Sequence, residues 1–153
     1  MSDIKQAFGG STAITCTFNS LGSGSAREST AVDNTSNLFL DALVRVSASV
    51  GTVAAPKEVR VYVYGSEDGT TYEDPATGSD AALTLEDPPV MKLARVIPTP
   101  SNSKVYEALF SVAQCFGGVM PRKWGLVIEN QSGAALAASN NSASYSGVYQ
   151  TVV

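Results

Sequence analysis

Apolar and polar residues alternate strictly over residues 38–50. Leu38, Leu40, Ala42, Val44, Val46, Ala48 and Val50 share one face, and Phe39, Asp41, Leu43, Arg45, Ser47 and Ser49 the other. Side chains of a strand point alternately to its two sides, so this pattern predicts a strand with one buried face. At about 3.3 Å per residue the run would be roughly 40 Å long, which predicts a bulge or bend near Ser47. Residues 58–64 repeat the code, with Val59, Val61 and Val63 inward and Arg60, Tyr62 and Tyr64 outward. Joined by residues 51–57, which include Pro56, the two runs predict an antiparallel hairpin with one wet face. Residues 12–18 alternate as well, with Ile14, Cys16 and Phe18 on one side.

Shorter runs at residues 82–85, 90–97, 105–113, 124–130 and 144–153 bring the candidate strands to eight. Proline and glycine punctuate them at Pro88-Pro89, Pro98 to Pro100 and Gly117-Gly118, and no amphipathic helix is long enough to cover a sheet. The fold class predicted is all-β: an antiparallel β-sandwich of about eight strands, jelly-roll-like, with little helix. The two halves show no repeat, which removes propellers and solenoids. Residues 12–153 form the single sandwich domain. Residues 1–11 hold few apolar side chains, among them Ile4 and Phe8, and end in Gly9-Gly10-Ser11; they read as a flexible arm that orders on a partner.

Composition fits this picture and narrows the chemistry. Val, Ile and Thr total 33 of 153 residues while only 16% are charged, the balance of a strand-rich chain. A chain of this length buries about 68–70% of its unfolded surface, enough for a core without staples. The net charge of -4 leaves no basic surplus for a phosphate backbone or an anionic bilayer, so neither nucleic acid nor membrane is the expected partner. With no histidine, imidazole nucleophile activation, histidine metal ligation and titration near pH 6 to 7 drop out. Cys16 and Cys115 stand too far apart for a C-x-x-C pair and cannot alone hold a structural zinc; they read as buried thiols. The first residues lack the pattern of a signal peptide and no apolar run approaches 18 residues, so the expectation is synthesis in the cytoplasm. The sequons at Asn34, Asn130 and Asn140 read as chance in a chain rich in Ser, Thr and Asn.

Candidate chemistry concentrates in residues 67–74, where Glu67, Asp68, Glu73 and Asp74 crowd around an Asp-Gly turn beside Tyr72. Four carboxylates suit a hard cation, yet their spacing departs from a calcium-binding loop and the turn alone explains the Asp-Gly pair. No metal or other cofactor is expected. A glycosidase would need a second acidic group across a groove, and only Glu86-Asp87 offers one, so the chain reads as a non-enzyme. Tyr62, Tyr64 and Tyr72 on one wet face would make a carbohydrate-binding platform, the rival class. Asp68, Tyr72, Glu73 and Asp74 are therefore the cation or glycan candidates. Arg27 and Glu28, at the end of the Ser/Gly loop 19–26, are candidates for protein contact together with Ile4 and Phe8.

Four segments carry a family resemblance: Ala26-Arg-Glu-Ser-Thr-Ala-Val-Asp-Asn-Thr-Ser-Asn-Leu-Phe-Leu-Asp-Ala-Leu-Val44, Val61-Tyr-Val-Tyr-Gly-Ser-Glu-Asp-Gly-Thr-Thr-Tyr72, Val119-Met-Pro-Arg-Lys-Trp-Gly-Leu-Val127 and Gly147-Val-Tyr149. The chain resembles small virion proteins of tailed bacteriophages, of the head decoration or cement type. The resemblance spans nearly the whole chain and includes no catalytic motif. It implies a structural protein on the capsid surface, with the major capsid protein as partner, and leaves a tail- or fibre-associated position open. Open sandwich edges add the expectation of a homo-oligomer, dimer or trimer.

Overall fold

Each alternating run becomes a strand, and three further strands join them. The computed structural model describes residues 2–153, with elements β1 (Ile4–Phe8), β2 (Thr12–Ile14), β3 (Ala26–Glu28), β4 (Val32–Asp33), β5 (Asp41–Ser49), β6 (Glu58–Ser66), β7 (Ala81–Leu83), β8 (Lys92–Pro98), β9 (Val105–Ser111), α1 (Val112–Cys115), β10 (Lys123–Gln131) and β11 (Ser142–Val152). All pairings are antiparallel. One sheet runs β1-β11-β5-β9, with β2 beside β11 as well; the other runs β7-β3-β10-β6-β8, with β4 also on β10. The result is the expected all-β sandwich, built from more strands than the eight read from the pattern.

The valine faces meet between the sheets. Val44 and Val46 of β5, Val59, Val61 and Val63 of β6, and Leu126 and Ile128 of β10 lie in one fully buried cluster. Trp124 of β10 packs edge-on against Tyr145 of β11, ring centroids 5.4 Å apart, joining the sheets through one aromatic pair. Where the edge strands of the two sheets come together, Arg95 of β8 donates its Nε–H to the carbonyl of Leu109 in β9, 3.2 Å away.

Several sequence expectations change. β5 and β6 form no hairpin: β5 pairs with β11 and β9, β6 with β10 and β8, so residues 51–57 carry the chain from one sheet to the other. Alternation fixes which face of a strand is buried and says nothing about its neighbour. Leu38 and Leu40 are not core residues; Leu38 is 73% exposed and has a φ of 53°. The side chain of Asn34 closes a turn there, accepting from the N–H of Phe39 and donating to its carbonyl, and the strand starts only at Asp41. Nine residues need no bend, and the bulge falls instead where β6 meets β8, between Val61 and Tyr62.

The arm expected over residues 1–11 is also corrected within the described residues. Ile4 to Phe8 pair in register with Val152 to Val148 of β11. Backbone bonds to β11 hold this strand, and no apolar alternation was there to announce it.

Candidate interaction face

The two sheets differ in how their outer faces are covered. On the β6–β10 sheet, residues 72–91 fold back over the outward side, so Tyr62, Tyr64, Val127 and Met91 form a second buried cluster with Ala26. Tyr64, expected outward and wet, is wholly buried: its hydroxyl donates to the carbonyl of Ser29 at 2.7 Å and its ring meets that of Tyr72 edge-on at 5.6 Å. Burial pushes its phenol well above the usual range, against the opposing hydrogen bond to Ser29. Tyr62 and Tyr64 thus pack beneath the loop that carries Tyr72, and the three rings offer no exposed stacking platform.

The acidic loop is built on its own backbone. One carboxylate oxygen of Asp68 accepts from the N–H groups of Thr70 and Thr71, both at 2.7 Å, and the other from the Thr71 hydroxyl. Those bonds hold the Asp68 carboxyl far below the usual carboxylate range. Glu73 turns away to accept from the Gly65 N–H at 3.0 Å, while Glu67 and Asp74 are exposed. Among the described residues no three Cys, Asp or Glu side chains are grouped to hold a metal ion. The loop's geometry is that of a structural cap.

Arg27 and Glu28, expected at a loose loop edge, sit in β3 between β10 and β7. Glu28 is 1% exposed, and its carboxylate accepts from the N–H and hydroxyl of Thr77 and from the N–H of Gly78. Arg27 pairs with Asp80 at 2.7 Å and also donates to its carbonyl. Both side chains tie residues 77–80 to the sheet and are spent on that task. Cys16 and Cys115 are free, half-buried thiols, and burial pushes Cys16 up to about 12, with Asp80 and Glu28 adding and Arg27 opposing.

Among the described residues the outer face of the β1-β11-β5-β9 sheet has no such cover. The register places Leu109 beside Arg45 and Ser144, Leu43 beside Ser146, and Phe8 beside Val148 across adjacent strands. Leu109 is 54% exposed, Val105 48%, Phe8 55% and Ile4 68%. A shallow depression of about 550 Å³ lies among Phe8, Leu43, Arg45, Leu109 and Ser144. Charge is sparse: Arg45 and Glu107 face each other at 3.7 Å, largely exposed, a pair that adds little stability. No family model, curated protein or solved structure matches the chain.

Of the contact candidates read from sequence, the structure therefore brings Ile4 and Phe8 onto this face and removes Arg27 and Glu28 from it. Leu43, Arg45, Val105 and Leu109 join them, and sequence reasoning missed all four. Leu43 and Arg45 were visible as the polar side of β5. What was not visible is that this side stays bare while the equivalent side of β6 is covered.

Proposed function

We propose that this chain is a non-enzymatic structural protein of a tailed-phage virion, a decoration protein that binds the outside of the head lattice and stabilises it through protein–protein contacts. The observation that carries this reading is the uncovered sheet face, where exposed Leu109, Val105, Phe8 and Ile4 stand among serines with one neutralised ion pair. Centres of protein interfaces are poor in charge and rich in apolar side chains, and this face has that make-up. The resemblance of residues 26–44, 61–72, 119–127 and 147–149 to phage virion proteins supports the same class. On a symmetric lattice, modest contacts repeated by linked copies give durable attachment through effective concentration. The major capsid protein is the proposed partner and the capsid surface the proposed location.

The test is reconstitution on capsids that lack the protein, followed by imaging. The expected outcome is density on the head exterior, with the β1-β11-β5-β9 sheet toward the lattice. Leu109→Asp should lower affinity at least tenfold, about 1.4 kcal/mol, by replacing an apolar contact with a carboxylate that the partner must desolvate. Absence of the protein from the head surface, or undiminished binding of Leu109→Asp, overturns the reading; density on the tail assigns it there instead.

A further inference from the structure

We propose that the free edge of β1 is a self-complementary pairing surface through which two copies of this chain join their β1-β11-β5-β9 sheets into one. Asp3 and Val153 exchange two backbone hydrogen bonds, at 3.0 and 2.9 Å, and the Gly9 N–H donates to the Gly147 carbonyl at 2.8 Å. In an antiparallel ladder residues alternate between facing the partner strand and facing away. Lys5 and Ala7 therefore turn their main-chain groups toward β11, and Ile4, Gln6 and Phe8 turn theirs outward. Among the described residues β11 is the one strand that β1 pairs with, so this outward row is an open template for another strand.

The sequence of β1 selects a second copy and a single register. With a twofold axis at Gln6, Ile4 lies opposite the second copy's Phe8, and Gln6 opposite the second copy's Gln6. Each such pair exchanges two N–H···O bonds, because all three residues face outward in both copies. Ile4 and Phe8 then stack as an apolar cross-strand pair on the uncovered face. Lys5, the one charge within β1, lies opposite Ala7. Moving the axis to Lys5 sets lysine against lysine, and moving it to Ala7 leaves Ile4 opposite Gly10, beyond the strand. A shift by one residue sets outward-facing groups against inward-facing ones and makes no ladder. The dyad is isologous and closes at two copies, which excludes a trimer built on this edge. This pairing does not depend on the capsid reading.

The experiment is sedimentation of the full chain from about 10 µM to about 1 mM, the span of weak to moderate association. The mass should rise from 15.9 kDa toward twice that value. Gln6→Pro should abolish the rise: it removes an outward N–H and leaves the bonds of Lys5 and Ala7 to β11 in place. Ile4→Lys combined with Phe8→Lys should also abolish it, and Ile4→Lys combined with Phe8→Glu should restore it, since positions 4 and 8 oppose each other only in this register. A constant 15.9 kDa mass, a trimer, or a dimer indifferent to these substitutions overturns the proposal. If Gln6→Pro fails to fold, the two charge combinations decide alone. The readout is the isolated chain, so its failure leaves capsid binding standing, and loss of capsid binding leaves the dimer standing.

Discussion

Arg27 and Glu28 are adjacent in sequence and point to opposite sides of β3, each held by residues about fifty positions away. Asp80 is the more telling partner. Partial burial would raise its carboxyl, but hydrogen bonds from Arg27 and from the N–H and hydroxyl of Thr17 outweigh that and hold it at about 2, below its ordinary 3.8. The folded state therefore binds this proton less readily than the unfolded chain. Its contribution is complete above pH 4 and is lost as the pH falls through about 2. Asp80→Ala should cost about 1.5–3 kcal/mol at neutral pH, and urea titrations of both proteins should show the gap narrowing between pH 4 and pH 2. A gap independent of pH in that window would contradict the ion pair. The sequence displayed Arg27-Glu28 as a charged cluster, and its charge invited a surface reading. Nothing local announces that Thr77, Gly78 and Asp80 return to satisfy it.

At the scale of elements, what was legible was the face of each strand, and what was not was its neighbour. Val44, Val46, Val59, Val61 and Val63 are buried as the period-two pattern requires. The same pattern counted Tyr62 and Tyr64 as wet, because a non-alternating loop that covers the second side of a sheet leaves no periodic mark. β1 escaped for the opposite reason: an edge strand exposed on its outer side needs no apolar period. Glycine gives a further sign of close packing. Gly125 in β10 lies beneath the ring of Tyr64, where a Cβ would overlap the phenol. Gly125→Ala should destabilise the protein by about 1–3 kcal/mol and change the near-ultraviolet circular dichroism as Tyr64 is displaced from Ser29. An unchanged spectrum with unchanged stability would mean that the aromatic layer over β10 is looser than its burial implies.

The whole molecule is asymmetric: one sheet is covered on its inner face and over Tyr62, Tyr64 and Val127 on its outer face, the other on its inner face alone. Composition and alternation could establish two antiparallel layers, because burying a strand face requires a second layer. They could not say which layer stays open, since that depends on where a non-periodic loop comes to rest. The pairing of β1 with β11 carries a different consequence. Asp3 and Val153 share a pair of hydrogen bonds, so both ends of the described chain emerge side by side at one sheet border. A short Gly/Ser bridge should stitch them into a circle, and new ends opened in the exposed turn at residues 101–104 should leave every ladder intact. Such a permuted polypeptide should melt cooperatively within a few degrees of the original. A cargo appended at either end of the described chain would, by contrast, crowd the very rim where Ile4, Gln6 and Phe8 lie, so engineering from the new opening is the route that keeps that rim unobstructed.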